Sequence, residues 1–326
     1  MIVSCAPFRV SFAGGGSDLP LFYRRSRGAV LSCAIAKFSF AIAHQYFNED
    51  KYHLKYARTE LVDTIDAISH PLFREALRMQ KIEPGIEITS IADVPSGTGL
   101  GSSSSFAVAL LNALYAYRSI FVSKERLASE ACVLEIEKLG EPIGKQDQYA
   151  AAFGGINFVE FHQNGSVTVQ PLVLPTATTA MLEQNLLLLY TGRQRDAHSV
   201  LSKQADIMQK DANKFATVQR MVELAHKMRD MLVSGDLDGF GEALHRGWLM
   251  KRSLETSISH SAIDSIYERA RKAGAIGGKL SGAGGGGFLV LYCPKNVKDK
   301  VRRELSSWRI MDFQIDWAGA RIAFAE

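Results

Sequence analysis

Cysteine is scarce in this sequence: Cys5, Cys33, Cys132 and Cys293 lie far apart along 326 residues, with no CxxC pair. That spacing excludes a disulfide framework and a thiolate zinc site, and it predicts four reduced, buried thiols. The eight histidines form no HExxH or HxH spacing, which removes the usual signal of a histidine metal centre. No apolar run reaches membrane-spanning length, and no charged leader precedes an apolar stretch at the N-terminus. The expectation is a soluble, cytoplasmic protein with no membrane partner. Charge of one sign is also missing. The net charge of +4 is small and scattered, and no basic run is interleaved with aromatics, so the expectation is an anionic small molecule as partner and no nucleic acid.

What remains is an ordinary globular composition, 47% hydrophobic and 22% charged, on a chain long enough for two cores. Strand-type segments are "MIVSCAPFRVSFAG", "GAVLSCAIAKFSFAIAHQYF" (two strands or one bent strand), "GIEITSIADV" and "NLLLLYTG". "GGINFVEF" and "GSVTVQPLVL" read as a hairpin. Helical patterns cover "HPLFREALRMQK", "SSFAVALLNALYAYRSI", "SKERLASEACVLEIEKLG" and "SAIDSIYERARKAG", with two or three more between Asp196 and Leu254 broken at "SGD". The low-bulk "PTATTAMLEQ" reads as a turn-rich boundary between domains at 1–178 and 179–326. Strands and helices mixed in both halves predict an α+β protein of two layered domains.

Glycine is where the sequence is unusual. "PSGTGLGSSSSF", residues 95–106, follows a strand and opens a helix. The unpaired N–H groups and positive dipole end of a helix N-terminus stabilise phosphate there, and glycine lets the main chain come close. A tight turn with serine caps is the plain alternative, but so many small residues exceed what a cap needs. A Walker A loop needs GK[ST], and Ser102 stands at the lysine position. A Rossmann fingerprint needs a second strand with an acidic tip, and here the helix is followed by another helix. Two more stretches, "PFRVSFAGGGSDLP" and "KLSGAGGGGFLVLY", each read alone as glycine turns or as close backbone approach to a ligand.

Together, in order and spacing, the three stretches resemble the signature motifs of the GHMP small-molecule kinases, over essentially the whole chain. The resemblance implies a two-domain fold: an N-terminal α/β domain of ribosomal-protein type, a ferredoxin-like C-terminal domain, and an active site between them. It implies ATP and Mg²⁺, with Pro95, Ser96, Gly97, Gly99, Leu100, Gly101, Ser102, Ser103 and Ser104 around the phosphates. Arg9 falls on an arginine near the transferring phosphoryl, and Asp18 on an aspartate that binds sugar hydroxyls. The catalytic aspartate matches Asp147 in "EPIGKQDQYAAAFGG". Metal ligands are implied at Glu135, ahead of its neighbour Glu137, and at Ser103, with Ser102 and Ser104 as alternatives.

Substrate contacts are implied at Gly14, Gly15, Gly16, Ser17, Asp18 and Gln146, and from the third motif at Gly282, Gly284 and Gly285. Lys145 and Arg193, with Arg195 beside it, are candidates for an anionic substrate by charge and by nearness in sequence to the catalytic loop or a strand end. Within the family the motifs resemble most the D-glycero-D-manno-heptose 7-phosphate kinases, which phosphorylate an anomeric hydroxyl on the way to nucleotide-activated heptose for surface polysaccharide. L-fucose kinases share much of the pattern, and glycines at 15 and 16 depart from galactokinase. The partner is then a small sugar phosphate, in a monomer or a homodimer. A non-catalytic sugar- or nucleotide-binding regulator on this fold would have lost Asp147, Glu135 or the serine run, and all are present.

Overall fold

The computed structural model describes residues 1–193 and 211–326. The chain opens with β1 (Ile2–Ala13) and a short helical turn α1 (Pro20–Tyr23), then the long strand β2 (Gly28–Gln45). The hairpin β3 (Tyr52–Lys55) and β4 (Thr59–Val62), which the sequence reading missed, precedes α2 (Pro71–Gln80) and β5 (Ile86–Ala92). Helices α3 (Ser102–Tyr117), α4 (Lys124–Cys132) and α5 (Gln146–Phe153) lead into the hairpin β6 (Ile156–Phe161) and β7 (Val167–Pro171).

These strands, with β12 (Arg321–Ala325) from the far end of the chain, build one eight-stranded sheet in the order β12-β1-β2-β5-β3-β4, with β6 paired to β2 and β7 to β6. The "GAVLSCAIAKFSFAIAHQYF" segment is one strand. Its first half pairs with β6 and its second half with β5, while β1 runs along both. The register against β1 shifts between Pro7 and Phe8, which lets the strand bend. Pro7 itself lies just beyond the part of β1 that β12 covers, so its missing N–H breaks no ladder on that side.

The second half holds a four-stranded antiparallel sheet, β11-β8-β10-β9, from β8 (Leu186–Tyr190), β9 (Gly277–Leu280), β10 (Phe288–Tyr292) and β11 (Arg309–Asp312). Helices α7 (Ala212–Ser234), α8 (Leu237–Arg252), α9 (Ser261–Ala273) and α10 (Lys295–Glu304) accompany it. Asp211 and Asp236 cap α7 and α8 with carboxylates on the first-turn N–H groups, and Gly235 ends α7 in the left-handed region. The stretch expected to be a turn-rich boundary is instead a helix, α6 (Thr176–Asn185). Its alanines and threonines are tolerated once Leu182 and Asn185 are buried, which local composition does not reveal. Because β12 returns to the first sheet, a division at residue 178 does not separate the two sheets.

One core spans both halves. Phe8, Val10 and Phe12 of β1 pack with Leu224 and Met228 of α7, Phe240 and Leu244 of α8, and Leu186 and Leu188 of β8. The rings of Phe12 and Phe240 meet edge to face at 5.1 Å between centroids. A separate core lies where α2, α3 and α4 cover the first sheet. All four cysteines are buried and free, and among the described residues no helix is long and apolar enough to cross a membrane. Phe240→Ala is expected to cost about 3–5 kcal/mol in urea unfolding, because it empties the junction of the halves. The exposed Leu249 one face away should cost within about 0.5 kcal/mol when changed to Ala.

Candidate active site

The glycines of residues 95–101 are there for backbone geometry. Gly97, Gly99 and Gly101 all have positive φ, at 74°, 80° and 75°, so every second residue of the loop turns through the left-handed region. That alternation points successive N–H groups to one side, the arrangement that makes an anion-binding concavity. Gly101 is the residue before α3, and no side chain caps that helix, so its first-turn donors face whatever occupies the loop. Leu100 differs from its neighbours: its side chain is fully buried in the shared core and anchors the loop.

Two other segments fasten the loop. The backbone N–H of Arg9 donates to Leu100 O at 2.9 Å, and the Arg9 guanidinium donates to Gly99 O at 2.7 Å. From the second half, Phe288 N donates to Thr98 O at 3.1 Å and Ser281 Oγ to Gly99 O at 2.9 Å. A Cβ on Gly287, whose φ is +92°, would lie 2.0 Å from Thr98 O. At Gly287 the third glycine stretch is therefore bare because it packs on the 95–101 loop.

Arg9 also makes a two-pronged ion pair with Asp147, at 2.6 and 2.5 Å. Asp147 sits in the first turn of α5, where the helix dipole favours a carboxylate. Beside this pair opens a cleft lined by Gly15, Gly16 and Asp18 from the first half and by Gly282 and Ala283 from the second. Asp18 is buried and accepts from Gly16 N at 2.9 Å and Gln146 N at 3.3 Å. Burial, then the nearby Asp147 charge, raises its pKa against these N–H bonds. Ser11 Oγ and Gln146 Oε1 line the cleft and are buried without a hydrogen-bond partner among the described residues. Such atoms are held ready for a polar ligand.

On the loop side of the pair, Ser103 Oγ donates to Glu135 Oε1 at 2.8 Å and Gln148 Nε2 donates to Glu135 Oε2 at 2.6 Å. The helix carrying Glu135 was expected to run unbroken to Gly140; it widens into a π-turn at Val133–Lys138. There Leu134 and Glu135 are both buried while Glu137 is exposed. Burial pushes the Glu135 carboxyl up to about 7 in spite of hydrogen bonds from Ser104, Ser103 and Gln148. Ser103 is the exposed member of that serine pair and Ser104 the buried one. Among the described residues no three His, Cys, Asp or Glu side chains are grouped so that they alone could hold a metal ion.

Some residues singled out by sequence sit elsewhere. Gly14 and Ser17 build the turn, with Ser17 Oγ donating to Gly14 O at 2.7 Å, and do not line the cleft. Gly284 and Gly285 pack on Ile258. Lys145 lies over the ring of Tyr23, donates to Gly165 O at 2.7 Å and lines a separate recess with Arg24 and Glu137. The Arg193 side chain is exposed and comes within 3.5 Å of His260 Nε2. Neither belongs to the Asp18 cleft; Arg195 falls outside the described residues. Two lysines the sequence reading passed over do line it: Lys251 near the end of α8 and Lys279 on β9. Lys251 continues the buried face Phe240, Leu244, Trp248 at helical spacing, a signal of burial that the sequence carried, whereas Lys279 stands between Gly277 and Ser281 on its strand and carried none.

This fold and cleft agree with the family comparisons. GHMP kinases N terminal domain matches residues 64–155, and GHMP kinases C terminal matches residues 221–309. The chain belongs to the GHMP kinases and is an ATP-dependent phosphotransferase. It is 27% identical to a D-glycero-alpha-D-manno-heptose 7-phosphate kinase of Campylobacter jejuni, over 97% of this chain and 96% of that one. It is 29% identical to a bifunctional fucokinase/GDP-fucose pyrophosphorylase of Arabidopsis thaliana, over 91% of this chain but only 30% of that protein. In structure it is similar to a D-glycero-D-manno-heptose 1-phosphate kinase from Bacteroides thetaiotaomicron, with TM-score 0.83, 26% identity and full coverage of both chains.

Gly287→Ala should cost roughly 1–3 kcal/mol from its backbone angle alone and more from the collision with Thr98 O, and it should weaken ATP binding. Gly16→Ala is the control, since its φ is +96° but no atom lies within 4 Å of the added Cβ. Urea unfolding and an ATP titration of the two variants separate backbone strain from displacement of the loop.

Proposed function

We propose that this kinase is a sugar kinase that transfers the γ-phosphoryl of ATP to the anomeric hydroxyl of D-glycero-D-manno-heptose 7-phosphate, giving the 1,7-bisphosphate. The observation that carries the reading is the position of the Arg9–Asp147 pair, with the phosphate loop on one side and the Asp18 cleft on the other. The similarity to heptose phosphate kinases along the full chain supports the choice of sugar.

In this reading the acceptor's hydroxyls meet Asp18, Gln146 and Ser11, and its anomeric hydroxyl lies against Asp147. The hydroxyl oxygen attacks the γ-phosphorus, the bond to the ADP oxygen breaks, and the hydroxyl proton passes to an Asp147 carboxylate oxygen. Arg9 is held by that same carboxylate and by Gly99 O, so its charge is preset where the transferred group acquires negative charge. Glu135 and Ser103 offer adjacent hard oxygen donors, and the buried carboxylate has no cationic partner among the described residues, a set that fits Mg²⁺. When bound, Mg²⁺ would offset charge on the ATP phosphates. Gln148 fixes the orientation of Glu135 for that purpose.

Asp147→Asn is expected to keep ATP binding and lose roughly 10²–10⁴-fold in turnover, because the amide can hydrogen-bond the hydroxyl but cannot take its proton. Near-normal turnover with heptose 7-phosphate would remove Asp147 from the role. Glu135→Ala and Ser103→Ala should each raise the Mg²⁺ concentration needed for half-maximal rate while leaving the sugar KM nearly in place. A raised sugar KM with unchanged Mg²⁺ dependence would assign these two residues to the acceptor side. Preference of the wild type for free L-fucose would make the protein a hexose 1-kinase.

A further inference from the structure

The recess that Lys145 lines shares no residue with the Asp18 cleft, yet the same segments build both. Asp18 and Leu19 line the cleft, and Pro20, Tyr23 and Arg24 line the recess. Gly144 lines the cleft, Lys145 the recess, and Gln146 and Asp147 the cleft again. On the π-turn, Val133, Ile136 and Glu137 line the recess, while Glu135 between them accepts from Ser103 Oγ. Each segment that carries a site carboxylate thus gives neighbouring residues to this second cavity.

The charges in the recess are two cations, Arg24 and Lys145, and one carboxylate, Glu137. Among the described residues, neither the Arg24 side chain nor the Glu137 carboxylate makes an ion pair or a hydrogen bond. Lys145 Nζ donates to a neutral carbonyl, Gly165 O, at 2.7 Å and lies 5.2 Å from the centre of the Tyr23 ring. An ammonium has three donors, so two remain. Ser129 of α4 and Asn164 and Ser166 of the β6–β7 turn add polar groups. Asn164 Oδ1 accepts from Ser166 N and Oγ, which leaves the Asn164 amide donors for another partner. Cations in excess beside hydroxyl and amide groups match a phosphate ester on a polyhydroxylated body. We propose that this recess is a second small-molecule site, taking a sugar phosphate whose ester group is gripped by Lys145 and Arg24.

Such a ligand acts on the reaction through Lys145. Its main-chain N–H donates to Asp18 O at 3.4 Å, and the next N–H, of Gln146, donates to Asp18 Oδ2 at 3.3 Å. Drawing Nζ from Gly165 O onto a phosphate shifts the residue that holds Asp18. Occupancy therefore changes the acceptor KM more than the ATP KM. By linkage, acceptor in the cleft changes affinity at the recess by the same factor as recess occupancy changes acceptor affinity. The site stands whatever sugar the kinase phosphorylates; its effect on KM rests on the acceptor reading of the Asp18 cleft.

The test is calorimetric binding of glucose 6-phosphate, glucose 1-phosphate, glucose and inorganic phosphate to the whole protein. Arg24→Met and Lys145→Met remove the recess cations, and Asp18→Asn alters the cleft. Arg27→Met is the control, at an arginine paired with Glu160 outside the recess. Loss of one charge-assisted contact should weaken a glucose phosphate roughly 10- to 150-fold in the two recess variants. Asp18→Asn and Arg27→Met should lose far less; inorganic phosphate should bind more weakly and glucose not measurably. Arg24 is exposed, so Arg24→Met tests the site without emptying a packed position. Loss in Asp18→Asn with none in the recess variants puts the ester in the cleft and overturns the second site, as does no binding of either ester. Inorganic phosphate binding as tightly as the esters overturns the sugar phosphate assignment. Acceptor KM measured with and without the bound ester should shift in wild type and stay put in Arg24→Met. An unmoved wild-type KM overturns the coupling. Absence of turnover on any sugar would instead strike the kinase reading and leave the binding result standing.

Discussion

The guanidinium of Arg9 is the contact on which the site depends. It is buried and joins three segments that are far apart in sequence: β1 that carries it, the phosphate loop through Gly99 O, and the first turn of α5 through Asp147. Only arginine has the planar fork that can grip a carboxylate with two N–H groups and still spare one for a carbonyl. Losing either partner would leave a buried charge uncompensated, a change that typically costs about 3–5 kcal/mol. The ion pair stands at the seam between the 95–101 loop and the Asp18 cleft.

Holding that seam closed falls to backbone contacts and to a shared core. Gly287 allows the third motif to lie directly on Thr98, and Ser281 adds a hydroxyl to Gly99 O. Behind them Phe12 meets Phe240, so the sheet of the first half and the helices of the second move as one packed body. The return of β12 to pair with β1 adds a further tie. A cleft whose walls come from both halves is therefore held in register by a rigid floor, a condition for placing catalytic groups accurately.

Much of this was legible in the residues. Alternating strands, the helix that opens at Ser102, and the three glycine stretches all announced themselves because the governing physics is local: side-chain period, capping, and the φ angles only glycine takes easily. The motif resemblance picks out Arg9, Asp18, Glu135 and Asp147, and the structure brings Arg9, Asp18 and Asp147 to one cleft with Glu135 at its loop side. The failures are as physical. The helix at Thr176–Asn185 looked like a linker because its stability comes from what it packs against. The π-turn at Val133–Lys138 was hidden because nothing in "VLEIEK" distinguishes it from an ordinary helical turn.

By itself the sequence determined that bare glycine backbone would lead into a helix at Ser102, and that Asp147 would stand just ahead of "AAAFGG". These follow from conformational rules acting within a dozen residues. Which lysines line the cleft was decided only by tertiary structure. Lys145 lies two residues from Asp147, yet its side chain turns to Tyr23 and Gly165. Lys279 lies 132 residues away and reaches Ser11 across the junction of the halves. Neighbours along a helix start diverge by the turn of the backbone, whereas strand register and helix packing bring distant side chains to one point.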